Sequence, residues 1–394
     1  MRGGDAAASP GPAPGTPDRG TPGPTGGRAA PPSPAAVRIR IDHYSAVHLA
    51  AATARRIAVD SGLPGALPDR AAVLASELAS NIAKHAQDGS VFVQPLPLRP
   101  GVEITAVDRG PGIPDLDAAL TDGWTTTRTL GSGLGAVRRI ASDVALRTKP
   151  GAGTLICARI AAPGAPPPPG PDLAALCLAL EGERGCGDGW AVADAEDGLR
   201  TVVVVDGLGH GESAAEAADV ALRAFRRDPE LPLPELLFAL DRALRHTRGA
   251  AVGLLRLRPD GDADHCSVGN VRAQTVGFDG VRSRVTGQPG VVGWNMPGPR
   301  VRRIAVPPGS TLVLHSDGID PRWTHDPSPF LLRLPPPLLV AALAHDFRHI
   351  RDDATVLATG AQATTDARPT TGTPTPTDAP PPQSGPTPAP KRDA

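Results

Sequence analysis

The 394-residue chain carries 47 prolines, 45 glycines, only 3% aromatic residues and a formal net charge of −1. That balance, with no dense Lys/Arg block, gives no sequence-wide attraction for nucleic acid or an anionic membrane surface. The opening MRGGDAAASPGPAP lacks the apolar segment of a leader, and nowhere do about 18 apolar residues run together, so a soluble, cytoplasmic protein is expected.

Proline crowds into residues 1–34, 163–171 and 367–390, stretches too poor in apolar side chains to offset the entropy of ordering them. The expected organisation is a disordered Pro/Gly-rich tail over 1–36, a folded domain over 37–162, a Pro-rich linker over 163–171, a second folded domain over 172–361 and a disordered Pro/Thr-rich tail over 362–394. The four cysteines, Cys157, Cys177, Cys186 and Cys266, contain no C-x-x-C pair. In a reducing cytosol they are expected as buried thiols, with neither zinc nor a disulfide.

In chain order, apolar spacing predicts a helix over 45–60, stopped by Gly62 and Pro64, and a second helix from about Pro68 to Ala86. On the second, Glu77, Asn81 and His85 stand at i, i+4 and i+8, so a carboxylate, a carboxamide and an imidazole share one face. A strand over 102–107 ends in Asp108-Arg109-Gly110-Pro111-Gly112-Ile113, which brings a carboxylate and a close-packed backbone to one point, suited to an amino-bearing ring. After a polar segment, 115–130, Gly131-Ser132-Gly133-Leu134-Gly135 opens a helix over 136–141, where backbone N–H groups and the helix dipole can meet phosphate oxygens.

These residues resemble the GHKL ATP-binding family, and within it the anti-sigma-factor serine kinase branch. Glu77 to Ala86 matches the family's N box, Asp108 to Ile113 its adenine box, and Asp122-Gly-Trp through Gly131-Ser-Gly-Leu-Gly to Arg139 its lid and phosphate loop. Gly153-Thr154, in a closing hairpin over 144–160, matches the last adenine-side contact. The resemblance implies a Bergerat α/β sandwich that binds ATP. Asn81 would hold one Mg²⁺ against the phosphates, Asp108 would contact the adenine amino group, and Glu77 would orient or deprotonate a substrate serine. Gly110, Gly112, Gly131, Gly133, Gly135 and Thr154 would complete the ATP site, with 115–130 as a mobile lid. No upstream two-helix element with a phosphoacceptor histidine is recognisable, which disfavours a sensor histidine kinase.

In the second half four aspartates sit beside predicted strands. Asp188 starts a β-run, Asp206 ends the strand 199–205, Asp317 follows the strand 311–314, and Asp352 with Asp353 precedes the strand 354–358. Strand ends hold side chains on a rigid frame, and four can converge on one edge of a sheet sandwich. An oxygen-only site selects Mg²⁺ or Mn²⁺ over zinc.

The order of these motifs, with helices over 213–226 and 233–247, resembles the metal-dependent type 2C (PPM) protein phosphatases, specifically the SpoIIE-type branch. The resemblance implies an α-β-β-α sandwich, and so an α/β (α+β) protein overall. Asp206 would bridge two Mg²⁺ or Mn²⁺ ions, the Gly207 carbonyl would be a ligand, and Asp188, Asp317 and Asp352 would complete the set. Asp353 stays an alternative to Asp352, and His210 is read as a loop residue rather than a catalytic acid. The fusion is read as a protein serine/threonine phosphatase with an ATP-binding, candidate serine-kinase domain. It would set the phosphorylation of a STAS-type anti-sigma antagonist, with a sigma factor as a further partner. The competing reading is a non-catalytic ATP-dependent binding module; a lone metabolic ATPase has little support.

Overall fold

A computed structural model describes residues 35–116, 133–164, 173–183, 185–259 and 261–360, together with the backbone of Arg28–Ala29. Its strands are β1 Arg28–Ala29, β2 Val37–Arg40, β3 Gly89–Pro95, β4 Gly101–Asp108, β5 Asp143–Lys149, β6 Gly153–Ala161, β7 Leu173–Leu178, β8 Asp188–Asp194, β9 Arg200–Gly207, β10 Ala250–Leu257, β11 Ala263–Val268, β12 Arg272–Gly277, β13 Gly280–Thr286, β14 Arg302–Ile304, β15 Thr311–His315 and β16 Ala354–Gly360. The α-helices are α1 Ser45–Asp60, α2 Leu67–His85, α3 Gly133–Ile140, α4 Glu212–Arg227, α5 Leu233–Leu244, α6 Pro329–Leu332 and α7 Pro336–Asp346.

The first domain is an antiparallel sheet, β2-β3-β4-β6-β5, with α1, α2 and α3 on one face. Alanines at 46, 50, 54 and 58 of α1 and at 71, 75 and 79 of α2 are buried, so the two helices approach closely and pack together on β3 and β4. Asp69 in the first turn of α2 and Lys84 and His85 in the last complement its dipole. The sheet is apolar on both faces. On β6, Ile156, Ala158 and Ile160 turn to α1 and α2, while Leu155 and Cys157 turn to the other side.

The second domain is a sandwich of two antiparallel sheets, β1-β8-β9-β10-β11-β14 and β13-β12-β15-β16-β7. Side-chain alternation along β9 assigns its four valines to two different cores. Val202 and Val204 fill the space between the sheets, whereas Val203 and Val205 meet α4 and α5 on the outside. The same rule on β15 and β16 sends Leu312, Leu314 and Leu357 inward, and Val313, Val356 and Ala358 outward to α7.

Helix α7 is apolar all round. Every residue from Pro336 to Ala344 is buried, because the helix lies between β7 and β16 on one side and β4, β5 and β6 of the first domain on the other. The two domains therefore share one core at this helix, joined by Phe92, Val107, Leu155 and Cys157 from the first sheet. Polar contacts add to it: Gln94 Nε2 donates to the Ala175 carbonyl at 2.8 Å, the Ala36 amide donates to the Cys177 carbonyl at 2.7 Å, and Arg109 pairs with Asp346 at the end of α7.

The expected elements lie within a few residues of those observed. One departure concerns the first tail, where Arg28 and Ala29 pair with Asp194 and Ala193 of β8 rather than standing outside the fold. The second is the set of elements for which the sequence pattern carries no expectation: α6 and α7, and the strands β2, β3, β7 and β10 to β14. Residues 165–171 of the expected 163–171 linker, most of the lid and the last tail lie outside the described residues. Among the described residues, no helix is long and apolar enough to cross a membrane.

Candidate functional site

The alternation that splits the valines also aims the aspartates. On β8, Trp190 and Val192 face the gap between the sheets, and on β9 Val202 and Val204 do so, so Asp188 and Asp206 fall on that same side. They are directly paired across the two strands. From the opposite sheet, the extension of β15 brings Ser316 and Asp317, and the entry to β16 brings Asp352 and Asp353. All meet at one end of the sandwich.

Their partners separate two classes of carboxylate. Asp188 is buried and accepts a hydrogen bond from Ser316 Oγ at 2.6 Å, while the same hydroxyl accepts from the Thr355 amide at 3.0 Å. Asp353 is buried with both oxygens engaged, accepting from the Leu180 amide and the Gly187 amide at 2.8 Å each. Asp352, in contrast, is half-buried and faces Asp317 and Asp206. Asp317 is exposed, and its Oδ2 accepts from Asn270 Nδ2 at 2.7 Å. Asp206 has a buried Oδ2 with no hydrogen-bond partner.

Two glycines allow this convergence. A Cβ on Gly318, beside Asp317, would overlap the Asp353 carbonyl oxygen, and one on Gly207 would meet the Ala214 carbonyl at 2.5 Å. The strand ends can therefore approach only as backbone.

Burial raises Asp206 first, and the charges of Asp188 and Asp317, a hydrogen bond to Asp317 and the charge of Asp352 add to it, so that its carboxyl is pushed up to about 9. Burial likewise drives Asp188 well above the usual carboxylate range, against the favourable Ser316 hydrogen bond, and raises Asp352 with the Asp317 charge second. Among the described residues no group of three or more His, Cys, Asp or Glu side chains stands in a position to hold a metal ion. Even so, Asp206 feels all three other acids, and that mutual repulsion is the electrostatic mark of a shared centre. Crowded carboxylates, with one buried oxygen unpartnered, form an oxygen-only donor set that divalent hard cations fit. His210 is exposed, with Nδ1 3.5 Å from Glu183, in keeping with a loop residue.

In the first domain, β4 ends at Asp108, whose Oδ1 accepts from the Gly110 amide at 2.8 Å. Burial raises the Asp108 carboxyl, opposed by hydrogen bonds from the Gly110 and Thr154 backbone. The turn packs on the end of α2: a Cβ on Gly110 would lie 2.9 Å from the His85 carbonyl. Gly153, at φ +99°, lets β6 close on Asp108, where any side chain would overlap the Asp108 carbonyl. Thr154 lies opposite Asp108, and its hydroxyl is 3.1 Å from that of Thr148, which accepts from the Ile113 amide at 2.8 Å. Thr148 thus ties the Asp108–Ile113 turn to the closing hairpin, a role its sequence position does not signal. Glu77 and Asn81 are half-buried on α2 and His85 is exposed. Gly133 and Gly135 open α3, Gly112 adopts φ +76°, and Gly131 with the Asp122-Gly-Trp segment lies outside the described residues.

Residues 42–160 match the family described as histidine kinase-like ATPase domain. The serine/threonine-protein kinase RsbT of Bacillus subtilis is 36% identical over 104 residues, which are 26% of this chain and 78% of RsbT. The chain belongs to the RsbT family. Behind its RsbT-like domain, residues 196–362 match the family of stage II sporulation protein E, SpoIIE. The chain is therefore an RsbT-like GHKL domain fused to a SpoIIE-type, PP2C-like serine phosphatase domain. The SpoIIE match begins after Asp188, yet β7 and β8 complete the same two sheets.

Among solved structures, the RsbU and RsbW domains of Rv1364c from Mycobacterium tuberculosis are 24% identical, covering 50% of this chain and 61% of theirs at a TM-score of 0.41. The phosphatase domain and regulatory fragment of SpoIIE from Bacillus subtilis are 15% identical, covering 68% and 82% at 0.39. RsbX in complex with magnesium is 21% identical, covering 49% and 97% at 0.42.

Proposed function

We propose that the SpoIIE domain hydrolyses phosphoserine or phosphothreonine on a small regulatory protein of STAS type, and that the RsbT-like domain binds ATP and phosphorylates the same class of protein. The reading places the chain in partner-switching control of sigma factors. The observation that carries it is the convergence of Asp188, Asp206, Asp317 and Asp352 at one open end of the sandwich, in a chain whose other domain is of the RsbT family.

Asp206, with Asp188, the Gly207 carbonyl, Asp317 and Asp352, would hold two Mg²⁺ or Mn²⁺ ions. Such ions supply a low-pKa water and charge stabilisation for in-line phosphoester hydrolysis. The protein's part is positional. Ser316 fixes the Asp188 carboxylate, Asn270 fixes Asp317, and Asp353 anchors the Gly187 loop rather than binding a cation, since both its oxygens are spent on backbone amides. This favours Asp352 as the ligand of the doublet.

In the RsbT-like domain Asp108 would accept from the adenine amino group, Asn81 would hold Mg²⁺ against the phosphates, and Glu77 would orient or deprotonate the acceptor serine. A cycle running both ways would consume ATP without effect, so partner binding or closure over ATP is expected to bias one activity. The contact of Arg109, beside Asp108, with Asp346 on α7 gives that bias a physical route.

The kinase half is tested by incubating the full chain with labelled ATP and a small STAS protein, comparing it with Glu77→Ala. The expected result is label on a STAS serine, reduced at least about 100-fold by the substitution, the scale of a lost catalytic base. Equal transfer in both proteins would remove Glu77 from the chemistry.

A further inference from the structure

The sulfurs of Cys177 and Cys186 lie 3.3 Å apart on the wall of the phosphatase site, and no step above uses them. Cys177 is 3% exposed on β7, where its neighbours hold it firmly: it pairs with Thr355 of β16, its carbonyl accepts from the Ala36 amide, and its Sγ lies 3.4 Å from the Asp188 carbonyl. Cys186 is half-buried in the short connection to β8, next to Gly187, whose amide donates to Asp353. We propose that Cys177 and Cys186 are a modification site for hydroperoxides, closing to a reversible disulfide that turns the phosphatase down.

The chemistry balances with one hydroperoxide. The more accessible Cys186 sulfur attacks the peroxide, forming S–O and breaking O–O, and water or an alcohol departs with the thiol proton. The Cys177 sulfur then attacks the sulfenic sulfur of Cys186, forming S–S and breaking S–O, and a second water departs with the other proton. The thiols lose two electrons and the peroxide gains two. Two equivalents of a small thiol reduce the disulfide by exchange and leave as their own disulfide, so a reducing cytosol keeps the site open by default.

Closure has a mechanical consequence. A disulfide requires about 2.05 Å between sulfurs, so the pair must approach by about 1.2 Å. Cys177 sits in a paired strand, which leaves the Cys186 loop to move. Gly187 has little slack, since a Cβ there would lie 2.7 Å from Ala214 Cβ and 2.8 Å from Asp353 Oδ2. The shift is therefore passed to the Gly187–Asp353 hydrogen bond and to Asp188, and displacements of about 1 Å at a catalytic centre can cost about 100-fold in rate.

The experiment treats the full chain with hydrogen peroxide, alkylates remaining thiols under denaturing conditions and digests with trypsin. Arg184 lies between the two cysteines, so the expected product is peptide 160–184 joined to peptide 185–200 and released by dithiothreitol. Manganese-dependent phosphate release from a phosphoserine protein should fall at least about tenfold after peroxide and recover with dithiothreitol, a cautious fraction of the displacement effect. Nucleotide binding should be unchanged. Cys186→Ser and Cys177→Ala should each keep the untreated activity and lose the response.

Absence of the joined peptide from the folded, treated chain would overturn the proposal, as would equal inactivation of Cys186→Ser. The activity arm rests on the phosphatase reading, whereas the joined peptide does not, so the failure of one is distinguishable from the failure of the other.

Discussion

At the residue scale, Ser316 shows how the site depends on groups that bind no substrate. It is fully buried, donates to Asp188 and accepts from Thr355. Replacing it with alanine strands a buried carboxylate oxygen, and loss of such an orienting partner typically costs about 10–100-fold in activity. Ser316→Ala should therefore lower phosphate release by about that factor while nucleotide binding stays intact, as steady-state kinetics and a nucleotide titration would show. A second residue contributes to the pH dependence of stability. His265 on β11 is buried with Nε2 unpartnered, and burial, with Arg302 second, lowers its imidazole to about 4 from the ordinary 6.5. The folded protein then refuses a proton that the unfolded chain accepts, so stability is unaffected above pH 6.5 and falls as pH drops from 6.5 toward 4. The full effect is about 3 kcal/mol. Urea unfolding at pH 7 and pH 4.5 should show His265→Leu losing less stability between the two than the parent. The acids themselves are legible in the sequence because each lies at or beside a strand end, and Asp188, Asp206 and Asp317 also adjoin a glycine. The division of labour between Asp352 and Asp353 is not, since adjacent identical residues differ only in the backbone amides that tertiary packing brings to them.

At the element scale, the strands are legible where a short apolar run meets a turn, as in β4, β9 and β15, and α1 and α2 where apolar residues recur on one helical face. Helix α7 escapes such a reading. It begins in a proline run and is apolar on every side, so it has no periodic face, and only the arrival of two sheets explains why no polar face is needed. Leu343, fully buried at its centre, tests that sharing. Leu343→Ala should destabilise the chain by about 2–5 kcal/mol. Hydrogen exchange should quicken in β6 of the RsbT-like domain as well as in β16 of the SpoIIE domain. Faster exchange in β16 alone would mean that the helix belongs to one domain only.

At the scale of the whole molecule, the layers run from the α1, α2 and α3 helices through the first sheet, α7 and the two phosphatase sheets to α4 and α5. The ATP-side turn at Asp108–Arg109 touches the end of α7 through Asp346. A few residues on, the chain passes Asp352 into β16, so the two candidate sites are joined by continuous packed structure. The two-domain division is visible in the sequence as two motif sets separated by a proline-rich stretch. Their common core is not, because contacts such as Phe92 and Leu155 against α7 join residues far apart along the chain. The most direct test is manganese-dependent phosphate release from a phosphoserine protein by the full chain and by Asp206→Asn, with nucleotide binding measured on both. The expected result is release by the parent, a loss of at least about 100-fold in the variant and equal nucleotide affinity, because the substitution removes the central acid of the metal centre. Release that survives Asp206→Asn at the parental rate would contradict the account.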